Sequence, residues 1–178
     1  MDAFESVVSM LLRRQGYWTA QSVKVGLTKA EKRLIGRHSS PRWEIDLVAY
    51  KGSTNEILAV ECKSYLDSGG VVFRNGQFNN PSRYKLFTEP KLRSVVLARL
   101  CTELELSGAC APNPKVQLCL AAGNIASKSD LPGMRAHFSA NGWQLFDREW
   151  LHERLSHTAQ AGYENDITFV VAKILLRT

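Results

Sequence analysis

The sequence has no apolar run near the ~20 residues needed to cross a bilayer as a helix. It has no C-x-x-C pair, and no histidines cluster beside its four cysteines. The first absence excludes a helical membrane span, and the others leave a zinc site with little support. Cys62 and Cys119 lie inside apolar runs and read as buried thiols. The opening residues lack a signal-peptide pattern: Asp2 and Glu5 interrupt them, and Arg13 and Arg14 follow the apolar stretch instead of preceding it. The expectation is a protein of the reducing cytoplasm without membrane contact. No internal repeat, low-complexity tract or linker divides the 178 residues. A single domain is therefore expected over 1–178, with a core over 1–158 and a C-terminal helix over 163–177.

Acidic residues are the scarcer charge, 17 against 23 lysines and arginines, for a formal net charge of +6. That surplus favours a polyanionic partner. It is concentrated between Lys24 and Arg42, where Lys24, Lys29, Lys32, Arg33, Arg37 and Arg42 face one acid, Glu31. Two readings stand for this stretch, a solvated loop and an electrostatic footprint for phosphates.

Hydrophobic periodicity orders the chain. Asp2 caps a first helix to about residue 15, with Phe4, Val7, Val8, Leu11 and Leu12 as its buried stripe. Glu5 lies at the edge of that stripe, either as a first-turn surface acid favoured by the helix dipole or as part of a site. Strands are expected over 17–25, 43–50 and 56–64, the last two joined by the turn Gly52-Ser53-Thr54-Asn55. A loop covers 67–82 and extends through the stretch 77–84. A helix follows over 89–106, a strand over 115–122, a helix over 130–140, a strand over 143–146 and a helix from Asp147 to about 155. A last helix after Asp166 carries Val170, Val171, Ile174 and Leu175 on its apolar side. This order predicts an α/β protein with a central mixed sheet and helices on both faces.

The segment Ile57-Leu58-Ala59-Val60-Glu61-Cys62-Lys63 begins as a strand buried on both faces and ends by presenting Glu61 and Lys63 on one side. Asp46 sits between Ile45 and Leu47 in the preceding strand. If Tyr50 pairs with Ile57 across the turn, Asp46 falls opposite Glu61, and a slip of one residue would separate them. Facing carboxylates repel, and a divalent cation between them reverses that sign. Such a cation polarises a scissile phosphate and lowers the pKa of a bound water, beside which Lys63 would stabilise developing charge. A surface salt bridge of Lys63 with a neighbouring acid is the plainer alternative. A second E-x-K, Glu89-Pro90-Lys91, starts a helix and is set aside.

An acid in one apolar strand followed by Glu61-Cys62-Lys63 in the next resembles the PD-(D/E)XK nuclease superfamily, with Ile45-Asp46 in place of its Pro-Asp step. Glu5 on the leading helix also resembles the superfamily, in which a helix-borne glutamate often joins the metal site. Ser39 and Ser40 stand where Holliday-junction resolvases use a serine before the acidic strand. The tail 141–155 is similar to the closing strand and helix of Mrr-like restriction domains. The resemblance implies a three-layer α/β/α restriction-endonuclease-like fold and a DNA endonuclease dependent on Mg²⁺, with Mn²⁺ as substitute, often a homodimer. It implies Asp46, Glu61 and Lys63 as catalytic residues, with Asp46, Glu61 and Glu5 on the metal. The expected DNA contacts are Lys24, Arg33, Arg37, Ser39, Ser40, Arg42, Arg74 and Arg83. A catalytically silent DNA-binding module on the same fold and a salt-bridged scaffold domain are the rival readings.

Overall fold

A computed structural model describes residues 2–39, 42–162 and 164–177. Helix α1 (Ala3–Arg14) is capped by Asp2, whose carboxylate accepts the Phe4 N–H at 2.7 Å. Strand β1 (Trp18–Val25) leads through helix α2 (Lys29–Leu34) to β2 (Trp43–Lys51), and a turn then gives β3 (Glu56–Lys63). Strands β4 (Phe73–Arg74) and β5 (Gln77–Phe78) form a small hairpin, followed by a 3₁₀ turn (Pro81–Arg83) and helices α3 (Lys85–Thr88) and α4 (Pro90–Leu106). The chain ends with β6 (Lys115–Ala122), α5 (Leu131–Ala140), β7 (Gln144–Phe146), α6 (Arg148–Gln160) and α7 (Ile167–Leu176).

Five strands make one mixed sheet in the order β1-β2-β3-β6-β7. The first three are antiparallel, and β3, β6 and β7 run parallel. Side-chain alternation divides the core between the two faces. Ile57, Ala59, Leu118 and Leu120 pack with Leu92, Val96 and Leu100 of α4 and Met134 and Phe138 of α5. Leu58, Val60, Cys119 and Ala121 pack with Phe4, Val8, Leu11 and Leu12 of α1, Leu151 of α6 and Phe169 of α7. Helices thus cover both faces of the sheet.

Helix α2, the β4–β5 hairpin, the 3₁₀ turn over Pro81–Arg83 within the expected loop, and the short α3 all escaped the sequence reading. The basic stretch contains α2, and its start was written in the chain: Thr28 and Glu31 form a reciprocal capping box. Burial favours the protonated form of the Glu31 carboxyl, but hydrogen bonds from Arg99 and Thr28 outweigh it and hold the group below its usual range. The Arg99 fork, with contacts of 2.8 to 3.0 Å, ties α2 to α4. The loop expected over 67–82 contains the β4–β5 hairpin, turned by Asn75 and Gly76 at φ 51° and 76°. Asn-Gly is a strong hairpin signal because both residues tolerate positive φ.

The last helix forms, but its expected apolar side does not face inward. Val170, Val171, Ile174 and Leu175 are 39, 45, 74 and 72 % exposed, whereas Phe169 and Ala172 are buried. The segment Ile167–Leu176 is apolar nearly all round. Its periodicity therefore could not single out the two residues that dock.

The chain leaving β3 is held closely against the loop after β6. Gly123 donates its N–H to the Lys63 carbonyl at 2.9 Å, and a Cβ at Gly123 would stand 2.3 Å from the Ser64 carbonyl oxygen. Further on, Val71 donates its N–H to the Asn124 carbonyl and its own carbonyl accepts the Ala126 N–H, and Gly70 at φ 83° approaches the 124–126 backbone too closely for any side chain. Gly123→Ala is expected to destabilise the protein by about 1–3 kcal/mol, the usual range for overpacking. Urea denaturation would register this as a lower midpoint at unchanged slope.

Candidate active site

Strands β1 and β2 meet in the register Gln21–Leu47 and Val23–Ile45, which leaves Ser22 facing Asp46. Ser22 adopts φ 50°. Ile45 and Val48 belong to the same core face although they are an odd number of residues apart, so the alternation of β2 breaks at Asp46-Leu47. Tyr50 pairs with Ile57, and the β2–β3 ladder runs as far as Leu47–Val60. One step beyond, the Asp46 carboxylate accepts the Cys62 N–H at 2.7 Å. Asp46 thereby stands at the strand end that delivers Glu61 and Lys63.

The Lys63 ammonium donates to Glu61 at 2.5 Å, with 20 and 17 % of the two side chains exposed. This is the ion pair that the plainer reading expected, although it is mostly buried and not on the surface. Asp46 and Glu5 have no ion-pair partner among the described residues. Burial raises the Glu61 carboxyl pKa. The Lys63 ammonium opposes that shift, and the negative charges of Asp46 and Glu5 reinforce it. The Glu5 carboxyl is raised as well, first by burial and then by Asp46. Burial alone would lower the Lys63 pKa, but Glu61 and Asp46 hold it above its ordinary value, so the side chain stays charged. The cluster is thus three interacting acids from α1, β2 and β3 with one bound ammonium.

These donors suit a hard cation, because carboxylate oxygens are what Mg²⁺ and Mn²⁺ prefer. Among the described residues no three Asp, Glu, His or Cys side chains gather closely enough to hold a metal by themselves. Glu5 is therefore within electrostatic reach of Asp46 and Glu61 but does not complete a three-ligand group with them. Two carboxylates, with water and substrate oxygens in the other positions, remain a usual set for Mg²⁺.

The chain matches no protein-family model, no curated protein and no solved structure.

The expected DNA contacts are distributed unevenly. The segment between β1 and β2 opens from the sheet end that carries Asp46, since Val25 faces Trp43 in the register. Lys24, Arg33, Ser39 and Arg42 are exposed there, and Ser40 lies outside the described residues. Arg37 is half-buried, and its guanidinium grips Glu89 at 2.7 and 2.8 Å, tying the segment to the start of α4. Glu89 with Pro90 opens α4, as the sequence indicated for the second E-x-K. Arg74 is exposed and pairs loosely with Asp130 at 3.4 Å. Arg83 is exposed and reaches the Tyr65 hydroxyl at 3.4 Å.

Sequence reasoning passed over Tyr65, the second residue beyond Lys63, which holds φ 41°. The sequence signal was its proximity to Glu61-Cys62-Lys63; its conformation had none. Also passed over was a groove beyond β6 and β7, lined by Asn124, Ser127, Lys128, Arg148 and His152 among others. Ala122, in register with Lys63, leads directly into it. Among the described residues no helix is long and apolar enough to cross a membrane.

Proposed function

We propose that this chain is a Mg²⁺-dependent DNA endonuclease on the three-layer restriction-endonuclease-like fold. The observation that supports this most is the meeting of Asp46, Glu61 and Lys63 at the ends of two adjacent central strands, with Glu5 raising the negative charge from α1. Asp46 and Glu61 would hold the cation, and Glu5 would act on it through water. When bound, the cation supplies Lewis-acid polarisation of the scissile phosphate and an acidified water. Lys63 orients that water and stabilises charge gathering on the phosphorus-bound oxygens. The Cys62 N–H fixes the Asp46 carboxylate, so the site is formed before substrate arrives. Hydrolysis of the phosphodiester leaves a 5′-phosphate and a 3′-hydroxyl, with no covalent enzyme intermediate. Mn²⁺ substitutes for Mg²⁺ on the same oxygen donors.

The test is incubation in Mg²⁺ with supercoiled, linear, single-stranded and branched DNA. Cutting of any of the four supports the reading. Retention of DNA with no cutting in Mg²⁺ or Mn²⁺ would favour the silent DNA-binding module. The basic segment predicts a further result. Replacing Arg33 and Arg42 together by alanine should lower the slope of log affinity against log salt by about 0.9 for each phosphate that is no longer neutralised. Fluorescence anisotropy at several salt concentrations checks this, and an unchanged slope would remove the footprint.

The proposal includes a homodimer, because one site cuts one strand. The surface that supports it is the exposed side of α7, where Ile167, Ile174 and Leu175 are each more than 70 % exposed. Contiguous apolar patches beyond a few hundred Å² are uncommon on monomers. Ile174→Asp is expected to convert a dimer of the wild-type mass to a monomer in light scattering. A monomeric wild type at the same concentration would contradict this surface.

A further inference from the structure

The chain beyond Lys63 turns where few side-chain-bearing residues turn. Tyr65 sits at φ 41°, a strained conformation that persists where surrounding contacts impose it and that clusters at functional sites. Contacts on both flanks impose it here, from Gly123 against Lys63 and Ser64 and from Val71 against Asn124 and Ala126. The result places Tyr65 two residues beyond Lys63 on a segment whose backbone is held from both sides.

The second side of this corner comes from the 3₁₀ turn. Tyr84 is buried and stacks its ring on Phe78 at 4.1 Å and 12°, and Phe78 in turn contacts Phe73 and Phe138. That aromatic cluster fixes the backbone carrying Arg83. The Arg83 guanidinium projects into solvent over the Tyr65 hydroxyl at 3.4 Å, and among the described residues no carboxylate pairs with it. Burial, and then the neighbouring Tyr65, raise the Tyr84 pKa. The other basic residues of the neighbourhood contrast with Arg83: Arg37 is committed to Glu89, and Arg93 to the carbonyls of Leu86 and Phe87.

We infer that Tyr65 and Arg83 form a phosphate subsite next to Lys63, which grips a backbone phosphate of the nucleic-acid strand adjacent to the one being cut. A guanidinium presents several N–H donors in a fixed fork, and one contact to a phenol leaves most of them available to phosphate oxygens. The phenol adds a neutral O–H donor at a defined point. Because Tyr65 is held on the same short segment as Lys63, a phosphate held there sets the register of the strand relative to Asp46 and Glu61. The inference rests on the nuclease reading for the identity of its ligand, and on Tyr65 and Arg83 alone for the subsite.

The experiment measures binding of a short DNA duplex, a single strand and a four-way junction. Ca²⁺ replaces Mg²⁺ so that nothing is cut, and wild type is compared with Arg83→Ala, Arg83→Lys, Tyr65→Phe and the Arg83→Ala/Tyr65→Phe double variant. Arg83→Ala is expected to weaken the best-bound form about tenfold and to lower the salt slope by about 0.9. Arg83→Lys should restore the slope but not the full affinity, since an ammonium lacks the fork. Tyr65→Phe should weaken binding severalfold at unchanged slope, and the double variant should lose less than the product of the single losses. Melting curves and the Mn²⁺-induced rise in melting temperature should be unchanged in Arg83→Ala, which separates the subsite from the metal site. Wild-type affinity and slope in Arg83→Ala would overturn the subsite while leaving a cutting wild type as a nuclease. The expected losses in a protein that never cuts DNA in Mg²⁺ would overturn the nuclease reading and leave the subsite standing. Failure of the wild type to bind any of the three forms would overturn both.

Discussion

Asp46→Ala or Glu61→Ala is expected to reduce DNA cleavage by about a thousandfold or more while the protein still folds. Removing a single donor that stabilises transition-state charge already costs roughly 10²–10³ in rate. A carboxylate that holds the metal controls both phosphate polarisation and supply of the nucleophile. The folded state should survive, because Asp46 lies where the β2–β3 ladder has ended. Its removal leaves one N–H, that of Cys62, without an acceptor, at a cost of about 1–3 kcal/mol. Asp46→Asn retains an acceptor for that N–H and removes only the charge, so it separates the two effects. Lys63→Ala should lower cleavage about 10²–10³-fold. It should also cost stability, because Glu61, only 17 % exposed, loses its ion-pair partner. Single-turnover cleavage of plasmid, with circular dichroism for the fold, checks all four variants. Wild-type rates in Asp46→Ala or Glu61→Ala would show that the site is elsewhere.

The second large effect is on stability. Burial and the charge of Asp46 both oppose ionisation of Glu5 and Glu61, a repulsion that a bound divalent cation would remove. At a Mn²⁺ concentration one hundred times its Kd, binding to the native state contributes about 2.7 kcal/mol. For a chain of this size that corresponds to a rise of about 5–10 °C in melting temperature. Asp46→Asn should erase most of the rise and, by relieving the repulsion, melt slightly higher than wild type in EDTA. The scaffold alternative expects neither effect. A melting temperature indifferent to Mn²⁺ in the wild type would favour it.

Much of the sheet could be read from the chain because its signals are local. The turn Gly52-Ser53-Thr54-Asn55 and the apolar runs on either side determine the Tyr50–Ile57 register, which carries the ladder to Leu47–Val60, one step short of Asp46 and Glu61. Helix α2 and the β4–β5 hairpin were equally local, in a capping box and an Asn-Gly turn, but were masked by charge and by glycine content. What could not be read was tertiary. Arg37 looked like a free cation until Glu89, 52 residues away, was placed against it. Helix α7 is apolar on nearly every side, so only packing decides which residues are buried. The break in alternation at Asp46 has no local signal, and the loop after β6 holds the chain on either side of Tyr65 at its positive φ. Places where local preference gives way are expected where a site is being shaped.

Crystals soaked in Mn²⁺ and measured at its absorption edge show whether Asp46 and Glu61 share a cation. An anomalous peak is expected within coordinating distance of both the Asp46 and Glu61 carboxylates, absent in Asp46→Asn crystals treated identically. A wild-type map with no peak between those two side chains, or with manganese only at other acids, would contradict it.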